Sequence, residues 1–283
     1  MPNVWDAMKR HSVEKGGGQE VLGPSDQSEE DSLGRQSIDL SDTFQPGRRI
    51  SLPPQLEPEA AKRYSKLIRT CHERGGSIAE EYRSLRTNLL SSAEDGKISR
   101  VITSANKGEG KSVSASNLAA VLAERPGKFT LLADFDMRRG RIAKLFNTEK
   151  SPGIAEVLRG ETDLLEAIQA TALPNLYILP TGSVKREEVG TLISAREVRK
   201  MIAQAKSCFD YVIWDTPPIN AVADAGVIGQ LAGEALLVVR LNKTRKECVA
   251  RAIRLLRSAR VDVGGIILTH RRYYIPNYLY RYS

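Results

Sequence analysis

A glycine-rich turn between a predicted strand and a predicted helix constrains the fold more than any other feature. The run Arg100–Ser104 leads into Ala105–Ser112, which reads ANKGEGKS, and a helical pattern follows over Ser112–Glu124. Glycines let backbone N–H groups crowd around a phosphate, and the helix N-terminus adds positive potential. The pattern predicts a phosphate-binding loop, in which Lys111 reaches the β- and γ-phosphates and the Ser112 hydroxyl ligates magnesium.

One position of this loop departs from the consensus, which has glycine where this chain has Ala105. The extra methyl group is tolerable if Ala105 keeps an ordinary backbone conformation. A chance glycine-rich turn is the alternative, but eight consecutive matching positions between a strand and a helix argue against it. The predicted nucleotide-binding residues are Asn106, Lys107, Gly108, Glu109, Gly110, Lys111, Ser112 and Val113.

Short β-branched runs alternate with helical patterns from residue 99 onward, which predicts an α/β fold with a mostly parallel sheet covered on both faces. This is the three-layer arrangement of P-loop NTPases. The predicted strands are Arg100–Ser104, Phe129–Ala133, Leu176–Leu179, Tyr211–Trp214, Ala235–Leu241 and Gly265–Thr269. The predicted helices are Ser112–Glu124, Gly153–Arg159, Asp163–Ala170, Ser194–Lys206, Asp224–Leu231 and Arg245–Ala259.

Acidic residues follow two of the predicted strands. Asp134 and Asp136 follow the second strand, and Asp215 follows the strand Tyr211–Trp214 and begins the sequence DTPP. Ligands of parallel sheets bind beyond the carboxyl ends of the strands, so these side chains are expected beside the phosphate loop. Asp215 is predicted to hold Mg²⁺. Of Asp134 and Asp136, one would assist the metal and the other would orient or deprotonate a hydroxyl; alternatively, such a residue caps a helix or closes a turn.

The N-terminal part of the chain has a different composition. Residues 1–76 are predicted to form a mostly disordered leader, with a short helix possible around Glu57–Thr70, because few apolar positions recur there. The ordered domain is predicted to span residues 77–270 and to begin with a capping box, Ser77-Ile-Ala-Glu80. A tyrosine-rich tail, residues 271–283, follows the domain.

Bulk composition limits the classes of function. Three scattered cysteines and three scattered histidines give no disulfide framework or zinc site. No apolar run is long enough for a membrane helix, and a signal peptide is absent from the first residues, so we expect a cytoplasmic protein. The formal charge of +8 is expected to be spread over helices, with no nucleic-acid partner. The basic helix Arg245–Arg260 could face anionic lipid, although solvent is the commoner environment.

Taken together, these motifs resemble those of the bacterial tyrosine kinases that control polysaccharide export. The matching residues are the loop Ala105–Ser112, a DxDxR motif at Asp134–Arg138, and DTPP at Asp215–Pro218. An upstream ExxRxxR helix is matched by Glu80, Arg83 and Arg86, and a C-terminal cluster by Tyr273, Tyr274, Tyr278, Tyr280 and Tyr282. The resemblance covers about residues 77–283, and the combination is far more specific than any one motif.

The resemblance implies an ATP- and Mg²⁺-dependent enzyme in which Lys111, Asp134, Asp136 and Asp215 are catalytic. It implies metal binding by Ser112, Asp134 and Asp215. It also implies a ring of subunits formed through Glu80, Arg83 and Arg86, in which one subunit phosphorylates the tail tyrosines of a neighbour. The expected partners are a separate membrane-embedded regulator of polysaccharide chain length, which would recruit the kinase to the inner face of the cell membrane, and a phosphotyrosine phosphatase.

Other readings of the same residues stay open. Local pairing of Glu80 with Arg83 could explain the upstream motif without a ring. The tail could be an amphipathic anchor instead of a substrate. A ParA- or MinD-like positioning ATPase shares the expected fold, but its signature lysine would stand where this chain has Asn106. A module that senses ATP without transferring phosphate is a further alternative.

Overall fold

Seven strands form a single sheet in the computed structural model, which describes residues 52–68, 76–93, 95–194 and 196–270. The sheet order is β3-β4-β2-β5-β1-β6-β7, and every neighbouring pair is parallel except β3 with β4. The strands are β1 (Ile98–Ser104), β2 (Thr130–Asp134), β3 (Gln169–Ala170), β4 (Leu176–Leu179), β5 (Tyr211–Asp215), β6 (Ala235–Arg240) and β7 (Val263–Thr269).

Helices cover both faces of this sheet. They are α1 (Ser77–Ser91), α2 (Lys111–Ala123), α3 (Ile142–Phe146), α4 (Ile154–Arg159), α5 (Leu164–Ala167), α6 (Val189–Ser194), α7 (Arg196–Cys208), α8 (Asp224–Ala232) and α9 (Lys246–Ser258). One apolar cluster joins the sheet to α1, α2 and α3, and a second joins it to α4 through α9. The predicted three-layer α/β fold with a mostly parallel sheet is therefore confirmed.

Some elements were missed by the sequence patterns. Strand β3 has only two residues, and helices α3 and α6 have five and six, so none is long enough to show a period. The predicted helix Asp163–Ala170 ends at Ala167, because Gln169–Ala170 pairs antiparallel with β4.

The predicted capping box at the start of α1 is wrong. Gly76 is the N-cap residue, Ser77 already lies in the helix, and no side chain caps this end. Glu80 instead pairs with Arg83 one turn later, at 2.6 Å. A capping box needs its serine one position before the helix, whereas this helix already begins at Ser77.

Residues 52–68, part of the predicted leader, pack against the domain. Tyr64 and Ile68 are buried in the α1–α3 cluster, and Tyr64 stacks edge-on against Phe146. The Tyr64 hydroxyl accepts a hydrogen bond from Ala172 N–H at 2.6 Å, and Leu56 N–H donates to the Thr171 carbonyl. A 3₁₀ helix, Pro58–Arg63, lies where a short helix was expected.

This packing was not anticipated, because isolated apolar residues in a polar segment give no periodic signal. The rest of the predicted leader lies outside the described residues. So does the tyrosine-rich tail, and the domain limits stay a prediction.

Candidate active site

The sheet order brings the predicted site residues to one edge. Strand β5 lies between β1 and β2, so the loop after β1 and the acidic residues of β2 and β5 meet at the carboxyl ends of adjacent strands. Asp134 and Asp215 are direct partners in the parallel register of β2 and β5. Phe135 N–H donates to the Asp215 carbonyl at 2.8 Å and fixes this alignment beyond the last ladder pair.

The glycine-rich turn has the backbone of a phosphate-binding loop. Gly108 and Gly110 have φ values of 79° and 97°, a region that residues with a Cβ rarely adopt. Gly110 is the N-cap of α2, so the free N–H groups of this helix face the loop. Ala105 is buried and is not among the residues with positive φ. This is the condition under which alanine can replace glycine at this position.

Lys111 lies between two aspartates. Its Nζ atom is 2.8 Å from Asp136 Oδ2 and 3.2 Å from Asp215 Oδ1, and it also donates to Ser112 Oγ at 3.2 Å. All four residues are buried. A cation and two carboxylates taken out of water together stay ionised only because each compensates the other. The structure therefore brings together Lys111, Ser112, Asp136 and Asp215.

The pKa values reflect this crowded, dry environment. Burial alone would lower the pKa of Lys111, but the charges of Asp215 and Asp136 outweigh it and raise that pKa. Burial raises the pKa of Asp215 against the opposing effects of Lys111 and Ser112. Burial, followed by the charge of Asp215, raises the pKa of Asp134 to about 8. The single positive charge of Lys111 thus faces three buried carboxyl groups.

Asp134 has a different set of partners from Asp136. Its Oδ2 accepts from Ile142 N–H at 2.9 Å, at the start of α3, and its Oδ1 accepts from Asp136 N–H at 3.1 Å. The carboxylate thus closes the turn after β2 and holds the first N–H of the next helix, which was the structural alternative for such a residue. Its predicted catalytic and metal roles stay predictions.

The residues at this edge fit a magnesium ion. Asp215 Oδ2 is buried and has no hydrogen-bond partner in the described part of the chain. The nearby donors are carboxylate and hydroxyl oxygens, which Mg²⁺ prefers. Among described residues, no group of three or more His, Cys, Asp or Glu side chains forms a metal site by itself. At phosphate-binding loops, Mg²⁺ is commonly held by one or two protein oxygens together with phosphate oxygens.

Two threonines that the sequence reading missed fasten the loop to neighbouring elements. Thr269, the last residue of β7, donates from Oγ1 to the Glu109 carbonyl at 2.7 Å. Thr244, after β6, donates from Oγ1 to Glu109 Oε1 at 2.6 Å, and Asn106 Nδ2 donates to the same oxygen at 3.2 Å. Glu109 therefore anchors the outer part of the loop through both its backbone and its side chain. Lys107 and Gly108 are exposed there.

The arginine of the DxDxR motif has a partner beyond the next loop. Arg138 Nε lies 3.3 Å from Asp224 Oδ2, at the start of α8. The contact joins the segment after β2 to the segment after β5. A positive charge after DxD was visible in the sequence, but its acceptor, 86 residues later, was not.

The ExxRxxR residues are engaged within the chain. Arg83 contacts Glu80 at 2.6 Å and Glu124 at 2.8 Å, and Arg86 contacts Glu124 at 2.8 Å. Arg86 also donates to the Val121 carbonyl. The two arginines clamp α1 onto the C-terminal end of α2, the helix that carries Lys111. Pairing of Glu80 with Arg83 was the simpler alternative for this motif; a contact between subunits stays a prediction.

Comparison with known proteins decides the family. A family profile described as an AAA domain matches residues 99–251. Tyrosine-protein kinase YwqD of Bacillus subtilis is 36% identical over 195 residues, which cover 69% of this chain and 81% of that protein. The chain belongs to the bacterial tyrosine kinases. The identification made from the motifs, and with it the enzyme class, is confirmed.

Relatives of this kinase differ in length. Tyrosine-protein kinase ptk of Acinetobacter johnsonii is 35% identical over 192 residues, covering 67% of this chain but only 26% of that protein. In such relatives the matched region is one part of a longer chain.

Solved structures agree with the family. The kinase domain of Escherichia coli tyrosine kinase ETK superposes with a TM-score of 0.68 at 27% identity, covering 84% of this chain and 91% of that one. The cell division ATPase MinD of Pyrococcus furiosus gives a TM-score of 0.52 at 27% identity, covering 60% and 70%. The MinD likeness is the more distant of the two. Within the described residues, no helix is long and apolar enough to span a bilayer.

Proposed function

We propose that this bacterial tyrosine kinase transfers the γ-phosphoryl group of ATP to tyrosines of its own C-terminal cluster in a neighbouring subunit. The cluster comprises Tyr273, Tyr274, Tyr278, Tyr280 and Tyr282. Through this reaction the chain would regulate the synthesis or export of an exopolysaccharide or capsule. Tyrosine is the proposed acceptor because five of the nine tyrosines of the chain lie within ten residues, in a segment that also contains Arg271, Arg272 and Arg281.

One observation carries the proposal: Lys111 Nζ lies within 3.2 Å of both Asp136 and Asp215, where the phosphate-binding loop meets α2. A P-loop lysine stabilises charge on the β- and γ-phosphates, and the enzyme otherwise contributes mainly positioning. The buried carboxylates hold the ammonium in place before substrate binds. The lysine is therefore oriented at no further entropic cost during the reaction.

Ser112 and Asp215 are the residues that would hold Mg²⁺, since both have oxygens at the base of the loop. Held there, Mg²⁺ would supply positive charge that offsets the negative charge of the phosphates. On the protein side, the N–H groups of the loop and of the first turn of α2 supply the remaining positive potential.

Asp136 is the better base of the two aspartates after β2. Both oxygens of Asp134 already accept backbone N–H groups, whereas Asp136 directs Oδ2 only toward Lys111. A tyrosine hydroxyl is almost fully protonated at neutral pH, so an acceptor for its proton accelerates attack. The phenolic oxygen bonds to the γ-phosphorus, the bond to the bridging β–γ oxygen breaks, ADP leaves, and the proton passes to the Asp136 carboxylate.

The assembly and location of the kinase belong to the same proposal. A ring through the ExxRxxR helix would present the tail of one subunit to the site of the next. A membrane-embedded regulator of chain length would recruit the otherwise cytoplasmic chain to the inner face of the membrane, and a phosphotyrosine phosphatase would reverse the modification. The intramolecular clamp of Arg83 and Arg86 on Glu124 means that a ring contact would have to share or replace these pairs.

The test uses the full chain, Mg-ATP and phosphopeptide mapping by mass spectrometry. The parent protein should gain phosphotyrosine in the 271–283 peptide, and a variant with the five tail tyrosines changed to Phe should not, while still binding ATP. ATP hydrolysis without phosphotyrosine would favour a positioning ATPase, and ATP binding without either would favour a sensing module.

A mixing experiment tests transfer between subunits. Lys111→Met and the five-Phe variant each lack one half of the reaction, so neither alone should form tail phosphotyrosine. Mixed together, they should yield phosphotyrosine on the Lys111→Met chain. Modification in the parent protein but none in the mixture would contradict transfer between neighbours.

A further inference from the structure

The excess positive charge of the molecule is concentrated at α9. Seven basic residues and one acidic residue lie between 243 and 260, a formal +6 of the chain's total of +8. The expectation that this charge is spread over several helices is therefore wrong. The seven basic residues are Lys243, Arg245, Lys246, Arg251, Arg254, Arg257 and Arg260.

These seven side chains are exposed, and none of them forms an ion pair with a carboxylate among the described residues. Several basic residues elsewhere in the domain do form ion pairs. The paired ones include Arg83, Arg86, Arg100, Lys128, Arg138 and Arg159. Uncompensated charge at one place on the surface favours an external anionic partner.

Exposed aliphatic side chains accompany this charge. Leu255, on α9 itself, is 36% exposed, and Ile266 and Leu268 on the edge strand β7 are 42% and 57% exposed. Ile266 and Leu268 pair in register with Leu237 and Val239, which belong to the cluster that α9 covers. Both aliphatics therefore lie on the same face of the sheet as α9.

We propose that this surface, consisting of Lys246, Arg251, Arg254, Leu255 and Arg257 and called here the basic face, binds the anionic surface of a lipid bilayer. Lysine and arginine side chains attract acidic headgroups, and an aliphatic side chain between them enters the boundary of the acyl chains. A nucleic-acid surface would instead carry aromatic side chains for stacking or amides for reading bases. The exposed residues of α9 other than its lysine and arginines are Glu247, Ala250, Leu255 and Ser258, and none of them is an aromatic or an amide side chain.

The basic face is close in sequence and structure to the phosphate loop. Helix α9 begins at Lys246, two residues after Thr244, whose hydroxyl donates to Glu109. A bilayer held at α9 would therefore define the orientation of the catalytic edge relative to the membrane plane. This inference does not depend on the tail tyrosines being the substrate.

The experiment is co-sedimentation of the full chain with vesicles made of equal parts phosphatidylglycerol and phosphatidylcholine, compared with vesicles of phosphatidylcholine alone. The parent protein should bind the mixed vesicles and not the neutral ones, and added salt should weaken binding. Arg254→Glu combined with Arg257→Glu should weaken binding at least about 25-fold, since each basic residue near an anionic surface strengthens it about fivefold.

A matched control reverses the same amount of charge on the opposite face of the sheet. Arg125 and Lys144 are exposed beside the α1–α3 cluster, so Arg125→Glu combined with Lys144→Glu should leave vesicle binding within about twofold of the parent. Leu255→Ser keeps all charges and should still weaken binding several-fold. Both charge variants should retain kinase activity, which checks their folding.

Three outcomes would overturn the proposal. One is a parent protein that does not sediment with the mixed vesicles. Another is equal weakening in both charge variants, which would mean that net charge alone is responsible. The third is tighter binding to a double-stranded oligonucleotide than to the vesicles at the same salt concentration, with the same dependence on Arg254 and Arg257.

Discussion

The carboxylate of Asp134 accepts a hydrogen bond from the backbone N–H of Ile142 at 2.9 Å, where α3 begins. Asp136, two residues after Asp134, faces Lys111 instead. Residues two apart in an extended segment would share a face, so it is the turn after β2, in which Asp134 Oδ1 accepts from Asp136 N–H, that gives the two side chains different partners.

Asp136→Asn is expected to reduce kcat by about 10²- to 10⁴-fold, the usual contribution of a general base. The amide keeps the size of the side chain but cannot accept a proton. Tail phosphotyrosine formation and ATP binding should be measured together, because a base mutant loses turnover while it still binds nucleotide. A kcat close to that of the parent would remove Asp136 from the mechanism.

The free energy of unfolding should depend on pH because Asp134 is buried. Its pKa is raised to about 8 in the fold from an ordinary value of 3.8, so the folded state holds the proton more tightly than the unfolded chain. The stabilising contribution is complete below about pH 4 and is lost as the pH rises toward about 8. Between these limits, the free energy of unfolding measured in urea should decline as the pH rises. Asp134→Asn should make this decline less steep, even though the amide lowers the free energy of unfolding overall. An equally steep decline in the variant would contradict this assignment.

Thr269→Val is expected to raise the KM for ATP with a smaller effect on kcat. Valine keeps the methyl group that faces Gly110 but removes the hydroxyl that donates to the Glu109 carbonyl, a loss of about 1 kcal/mol. Thr87→Val is the control, because it removes a similar bond to the Arg83 carbonyl on the exposed side of α1. Identical KM values for the two variants would mean that the Thr269 contact does not shape the loop.

Ile68 and Leu67 offer a test of whether residues 52–68 belong to the domain. Ile68 is fully buried and Leu67 is 57% exposed. Ile68→Ala should lower the free energy of unfolding by about 2–5 kcal/mol, while Leu67→Ala should change it by less than about 0.5 kcal/mol. Denaturant unfolding of the two variants measures both values. Equal small effects would show that this segment adds nothing to the core.

Glu124→Gln should lower the free energy of unfolding by about 1–2 kcal/mol, because Arg83 and Arg86 both lose their charged acceptor. Although burial opposes it, hydrogen bonding to the two arginines lowers the pKa of Glu124. The contribution of Glu124 to the free energy of unfolding is therefore present above the pKa that this residue has in the unfolded chain, and it is lost as the pH falls below that value. Thermal unfolding should be measured near neutral pH and at acidic pH. The difference in stability between Glu124→Gln and the parent should become smaller in acid. Glu149→Gln is the exposed control.

The sequence was sufficient wherever the signal was local. The loop Ala105–Ser112 is a contiguous motif, and the position of Asp215 at the end of an apolar strand follows from the rule for parallel sheets. The structure adds the contacts between distant residues, such as Lys111 with Asp136 or Glu109 with Thr269, because these depend on strand order and register. A periodic pattern of apolar residues contains no information about strand order or register.

The failures have physical reasons of their own. Tyr64 and Ile68 are single apolar side chains in a polar stretch, so their burial depends on a pocket beside Phe146 that belongs to another element. The capping box failed by one residue, which is the usual precision of a helix boundary read from sequence. Helices α3 and α6 have five and six residues, and no recognisable period marks them in the sequence.

The bond between Thr269 and Glu109 also fixes the point from which the C-terminal segment departs. A fully extended chain spans at most about 3.5 Å per residue, so Tyr273 can reach no more than roughly 14 Å from this anchor, and Tyr282 roughly 45 Å. In the proposed transfer between subunits, the five tyrosines would thus be unequal acceptors for a site on another molecule. A short tether confines the first of them to the neighbourhood of its own subunit, and distance alone would impose an order on which hydroxyls are modified.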